Sequence, residues 1–181
     1  MSILTYNELC KLVEQGVIEN VPHENINAAS IELTLAGTFL FEDEPEEGKD
    51  IIYLGSKEVP NMYKATDGCM ALLPGEFCLA STQQIFNLPN GICAIYVLKS
   101  SMARAGLNHL NAGYCDPGWN GSALTMEFHN TLRRHTLVLE EGNKCGQMYF
   151  FRGDVVPDLA SYAVRGKYNG SLSTQASLGV R

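Results

Sequence analysis

What the 181-residue sequence lacks narrows its function before any motif is read. It has no excess of basic charge: 13 Lys and Arg stand against 20 Asp and Glu, a net charge of −7. General binding to a nucleic-acid backbone needs the reverse balance. Any polyanion must therefore be small and met by a local group of Lys and Arg. No apolar run approaches the roughly 18 residues of a membrane-spanning helix. The N-terminal "MSILTYNELCKL" has no basic segment leading into an apolar one, as a secretory signal would. The expectation is a cytoplasmic protein that meets neither membrane nor nucleic acid.

Paired cysteines are missing as well. The six cysteines (10, 69, 78, 93, 115 and 145) include no C-x-x-C, and Cys78, Cys93 and Cys145 lie in apolar runs. Reduced, mostly buried thiols are expected rather than disulfides or a thiolate metal site. The H-x-E and P-C-x-x-C pair of zinc deaminases is absent. So are G-x-x-x-x-G-K-[ST] and G-x-G-x-x-G, which excludes a P-loop or a dinucleotide fingerprint. There is no internal repeat.

What is present reads mainly as strand. Thr5-Tyr6-Asn7-Glu8 has the form of a capping box, Leu4 and Leu9 that of a hydrophobic staple, and Gly16 a helix stop. One amphipathic helix is predicted there. "SIELTL" (30–35) and "ALTMEF" (123–128) alternate with period two. "ICAIYVL" (92–98), "TLVL" (136–139) and "CGQMYFF" (145–151) are further strands, punctuated by Pro74-Gly75, Pro89-Asn90-Gly91 and Glu141-Gly142-Asn143. A short helical turn is expected near 101–105. The acidic "FEDEPEEGKD" (41–50) reads as a solvated loop. The sum is a mainly β domain over 1–181, with 163–181 a Gly- and Ser-rich arm that is either frayed or ordered by ligand.

Between Leu98 and Phe128 polar groups crowd among glycines. On the alternating strand, Leu124, Met126 and Phe128 share one face, and Thr125, Glu127 and His129 the other. Before it, "NAGYCDPGWNG" places glycines at 113, 118 and 121, where backbone can approach a ligand closely. "KSSMAR" (99–104) brings two hydroxyls and two cations, with Arg104 one helical turn past Ser100. Each feature also has a plainer reading: a solvated glutamate, an ordinary Asp-Pro-Gly turn, serine caps with a surface arginine. Trp119 is expected to pack under the loop, and His109, His129 and His135 to be structural or solvated.

Taken in order, S-S-x-A-R-x-G-L, A-G-x-x-D-P-G-W, E-F-x-N and G-x-x-x-G-Q-x-x-F resemble the dCTP deaminase family of the dUTPase-like superfamily. The likeness extends to "LTYNELCKLVEQGVIENVPHENINAASIELTLAG", to "LPGEFCLASTQQIFNLP" and to the tail motif K-Y-x-G at 167–170, which together span nearly the whole chain. The resemblance implies a dUTPase-like β-barrel or jelly roll (β-clip), an N-terminal helix and a homotrimer with sites shared across interfaces. It implies zinc-independent hydrolytic deamination of dCTP to dUTP and ammonia, in the supply of dUTP and dUMP for thymidylate synthesis. Mg²⁺ would come with the triphosphate and not through protein side chains.

Residue by residue, the resemblance makes Glu127 the general base, Ser100 the group that positions water, and Arg104 the support of developing charge. Ala112 and Gly113 would present backbone to the base, and Asp116 would accept from the 3′-hydroxyl. Lys99, Ser101, Gln147, Tyr162 and Lys167 would hold the triphosphate. dUTP and the inhibitor dTTP are further candidate ligands. Two alternatives stay open: a bifunctional enzyme forming dUMP and diphosphate, and a non-catalytic nucleotide-binding regulator on the same fold. The chain departs from the family pattern at Glu32, where Asp is usual, and at Ser171, where Gln is expected and Gln175 is a possible substitute. One extra residue also lies between Asp116 and Glu127, and it is expected to be absorbed near 121–123.

Overall fold

The computed structural model describes residues 1–179. In chain order its elements are β1 (Ser2–Ile3), α1 (Tyr6–Glu14), β2 (Ile18–Glu19), β3 (Ile31–Glu42), β4 (Met62–Ala65), β5 (Cys69–Leu72), β6 (Phe77–Phe86) and β7 (Ile92–Leu98). They continue with α2 (Ser100–Arg104), β8 (Leu107–Asn108), β9 (Tyr114–Cys115), β10 (Ser122–Asn130), β11 (Leu137–Glu140), β12 (Lys144–Arg152) and α3 (Tyr162–Arg165). The main sheet is antiparallel and runs β8-β10-β6-β3-β12-β7-β9. β1 adds to β12, β2 to β6 and β4 to β3, while β5 and β11 form a separate pair.

α1 forms as its sequence signals. The Glu8 carboxylate accepts from the Thr5 N–H at 3.3 Å, and the stapled Leu4 and Leu9 are both fully buried. Val17 N–H reaches back to the Leu12 carbonyl and Gly16 N–H to that of Val13, closing the C-terminus. β7 has the expected bounds, β10 holds the alternation predicted for it, and β12 forms over the strand expected at 145–151. On β10, Leu124, Met126 and Phe128 enter the core beside Phe39, Phe86 and Phe150. All six cysteines are free thiols: three are buried, and Cys69 is exposed. No described helix is long and apolar enough to cross a membrane.

Two features differ from the sequence expectation. β3 is twice the predicted length, running into the acidic stretch before residues 43–50 become exposed. β6, which crosses the middle of the sheet, carries no readable alternation. Its centre, Ser81-Thr82-Gln83-Gln84, is polar, yet Ser81, Thr82 and Gln84 are buried. The reason is a pair of irregularities, where β6 loses register with β10 between Ala123 and Thr125 and with β3 between Leu35 and Phe39. Side chains fill the broken ladder. Gln84 accepts from the Thr34 N–H at 2.9 Å and donates to the Asn20 carbonyl at 2.9 Å and to Thr34 Oγ1 at 2.8 Å. Thr82 Oγ1 accepts from the Leu124 N–H at 3.0 Å. Polar residues thus satisfy backbone groups that a bulge would otherwise leave unpaired. The Ala123–Thr125 irregularity adjoins the place expected to absorb the extra residue, and it keeps Glu127 off the core face.

Candidate active site

β10 and β6 build the floor of a cavity of about 440 Å³. Glu127 stands directly across the ladder from Leu79. Around it lie Thr125, Ala123 and Leu124 of β10, Phe77 and Leu79 of β6, and Pro60 and Met62 from the segment leading into β4. The opposite wall is the 112–119 loop with Ala112, Tyr114, Asp116 and Trp119, joined by Tyr162. The Asp116-Pro117-Gly118 turn is locked in place. Gly118 has φ +87°, and a Cβ there would lie 1.9 Å from Ser161 Oγ. Only glycine lets this turn close down on Ser161 and so aim Asp116 into the cavity.

The apolar surroundings set the chemistry of Glu127. It is half-buried, and among the described residues no cation pairs with it and no Lys or Arg lines the cavity. Burial pushes its carboxyl up to about 7. A carboxylate so placed is a competent base near neutral pH while still being ionised in a large fraction of molecules.

The tail forms the roof. The arm is not a loose end over its described residues; 180 and 181 lie outside them. Trp119, stacked on Phe86 with centroids 5.3 Å apart, donates its indole N–H to the Tyr168 carbonyl at 2.9 Å. Ala123 N–H bonds the Ser171 carbonyl at 2.8 Å. Thr174 is buried, its hydroxyl on the Thr38 carbonyl at 2.7 Å and on Ser81 Oγ at 3.0 Å. Gln175 N–H bonds Thr125 Oγ1 at 3.1 Å, and its side chain lies 3.3 Å from Ser171 Oγ. Both Ser171 and Gln175 line the cavity.

Of the residues singled out from the sequence, Glu127, Asp116, Ala112 and Tyr162 converge here. Gly113 backs the same wall, its carbonyl accepting from the Tyr96 N–H at 2.8 Å. Ser100, Ser101 and Arg104 do not line it. All three are exposed on α2, which buries none of its residues. Lys99 and Gln147 lie in a separate group around Glu32, described below. Lys167 sits in the tail, its ammonium donating to the Gly179 carbonyl and 5.6 Å from the centre of the Tyr168 ring. His109 packs edge-on against Tyr96 at 5.1 Å. Trp119 and Tyr168 are the main additions. The role of Trp119 as a clamp was hidden because its partner is a backbone carbonyl 49 residues away. The Pro60–Met62 wall comes from a segment with no local signal at all.

Comparison with known proteins gives this arrangement its context. Residues 3–153 match the family model described as dCTP deaminase-like. The chain is 30% identical over 179 residues to the dCTP deaminase, dUMP-forming, of Sulfurihydrogenibium sp., covering 97% of this chain and 96% of that one. It is 31% identical over 180 residues to the protein of the same name from Persephonella marina, with 97% and 96% covered. A third relative of that name, from Nanoarchaeum equitans, is 34% identical over 168 residues, with 83% and 84% covered. The fold is shared with the crystal structure of the 2′-deoxycytidine 5′-triphosphate deaminase from Agrobacterium tumefaciens. The TM-score is 0.63 at 16% identity, over 83% of this chain and 49% of that one. The chain belongs to the dCTP deaminase-like family.

Proposed function

We propose that the protein hydrolyses dCTP in two steps in one cavity, first to dUTP and ammonia and then to dUMP and diphosphate. The observation that carries the reading is the half-buried Glu127 carboxyl, raised to about 7, in the same cavity as Asp116. Product release after the first step is the simpler expectation from the sequence. The names of the relatives favour the second step, as does an Asp116 already aimed into the cavity.

In the first step Glu127 takes a proton from water as the water oxygen bonds to C4 of cytosine. The protonated Glu127 gives that proton to ring N3, then takes the proton of the new C4 hydroxyl and passes it to the departing amino group as the C4 carbonyl forms. The C4–N bond breaks and ammonia leaves. Backbone groups of Ala112 and Gly113 hold the base, and Asp116 accepts from the 3′-hydroxyl. In the second step a water oriented by Asp116 attacks the α-phosphorus. The bond to the bridging oxygen breaks, giving dUMP and diphosphate. Tyr162 and Lys167 meet the phosphates, joined by Lys99, Ser101 and Gln147 of a second copy of the chain, since these three lie outside this protomer's cavity.

Among the described residues no three His, Cys, Asp or Glu side chains gather to hold a metal ion. A Mg²⁺ arriving with the nucleotide would neutralise part of the phosphate charge beside the phosphate-facing residues named above.

Ser100 and Arg104 are exposed on α2, while among the described residues no Lys or Arg lines the Glu127 cavity. The reading assigns these partners to a second copy of the chain, in a homotrimer whose cavities are completed at the interfaces. Such docking also removes Glu127 further from water.

Purified protein with dCTP and Mg²⁺, followed by chromatography of the products, is the test. dUMP with diphosphate is expected; accumulating dUTP overturns the second step, and unchanged dCTP overturns both. For the shared site, Glu127→Gln and Arg104→Gln are each expected to be inactive alone and to regain activity when co-refolded together. Mixtures that stay inactive overturn the sharing.

A further inference from the structure

Away from the Glu127 cavity, three strands bring a second group of polar side chains together. Glu32 on β3 faces Gln147 on β12 across the ladder. Lys99 follows directly on β7, and Lys144 opens β12. Each oxygen of Glu32 takes one lysine: Lys99 Nζ lies 2.6 Å from Oε1 and Lys144 Nζ 2.6 Å from Oε2. Ser30 Oγ donates to Gln147 Oε1 at 3.3 Å. Glu32 is the most enclosed of the three charges, its side chain 17% exposed against 29% for Lys99 and 39% for Lys144.

The group is unbalanced in two ways. Two cations share one anion, so a net positive charge is left half-enclosed. Each ammonium also keeps two of its three N–H donors. These and the Gln147 amide find no acceptor among the described residues, because Glu32 is already shared and Gln147 Oε1 is occupied. Such a site, rich in donors and short of one negative charge, is completed by an anion with several oxygens. It includes Lys99 and Gln147, two of the residues that the proposed function gives to the phosphates.

We propose that Lys144 is a further cation on the nucleotide's phosphate chain, beside Lys99, and that Glu32 is a positioning residue that holds Lys144 and Lys99 at a fixed spacing. The inference rests on the proposed function for the identity of the anion. It also accounts for the departure at position 32. One carboxylate must span two lysines, and glutamate reaches one methylene further than the aspartate usual there.

The test is titration calorimetry of the purified full-length protein with inorganic diphosphate, beside steady-state kinetics with dCTP. Lys144→Gln is expected to weaken diphosphate about tenfold and to raise the KM for dCTP by a similar factor, with kcat within about twofold. Lys144→Arg, which keeps the charge, is expected to stay near wild type. Lys49→Gln, which removes the same charge from an exposed pair with Glu46, is expected to change neither. Lys144→Thr is a second neutral variant should the glutamine impair folding, as read by thermal melting. Diphosphate affinity in the neutral variants equal to that of Lys49→Gln overturns the role of Lys144.

Glu32→Gln separates positioning from bulk charge. Removing a negative charge alone strengthens anion binding, whereas loss of the spacing weakens it. Weaker binding is expected, and stronger binding overturns the positioning role. A wild type that binds diphosphate in this Lys144-dependent way but leaves dCTP unchanged keeps the anion site and overturns the proposed function. Turnover of dCTP with no dependence on Lys144 overturns this inference alone.

Discussion

Glu32 and Glu127 sit in strands of one antiparallel sheet and have opposite fates. Both are partly withdrawn from water, and in both burial pushes the carboxyl up. At Glu127 nothing of comparable size opposes it, and the group rises to about 7. At Glu32 the hydrogen bonds and charges of Lys144 and Lys99 more than offset burial and hold the carboxyl below its usual range. The same side chain therefore keeps its proton into the neutral range in one place and stays ionised between two lysines in the other. The difference lies in the neighbours: Leu79, Phe77 and Met62 against two lysines.

Activity should break this symmetry most sharply. Glu127→Gln is expected to lower deamination by about a thousandfold while dCTP still binds, measured by ammonia release and by calorimetry. Near-normal turnover in that variant would move the base elsewhere. Glu32→Ala leaves two ammonium groups facing each other without their shared partner. A loss of about 2 kcal/mol is expected in urea denaturation, reduced from a fully buried case because all three groups keep some solvent. An unchanged midpoint would mean that the group is already open to water.

The pH dependence of stability sharpens the contrast, because the signs are opposite. Glu32, lowered from 4.5, contributes stability that is fully present above about 4.5 and lost as pH falls through its native value. Glu127, raised from 4.5 to about 7, stays protonated in the folded state while the unfolded chain has already ionised. It therefore costs stability progressively from about pH 4.5 to 7. Glu32→Gln is expected to flatten the denaturation profile below 4.5, and Glu127→Gln to flatten it between 4.5 and 7. The smallest effect is expected at the roof. Trp119→Phe keeps the stacking on Phe86 and loses the bond to the Tyr168 carbonyl, for about 1 kcal/mol. Faster hydrogen exchange confined to residues 167–179 is the readout.

Much of the frame is legible from local pattern. α1 carries its cap, staple and stop between Leu4 and Gly16, and β7 and β10 show themselves by period and apolar content. β6 escapes, because its central Ser81, Thr82 and Gln84 are buried as partners for a broken ladder, and no period-two signal survives that. Glu127 is legible as a site residue through its resemblance to a family, while its alternation alone fits a solvated glutamate equally well. Lys144 carries no signal in sequence: its partner Glu32 lies 112 residues away.

The sequence by itself determined the class of fold, the face of β10 on which Glu127 stands and the motif order that marks the family. These depend on period, turn chemistry and residues close along the chain. Only the tertiary structure decided which carboxyl is raised and which is lowered, where the tail lies and which lysines share a charge. Proton affinity depends on burial and on neighbours within a few ångströms, and in this sheet those neighbours come from strands far apart in the chain.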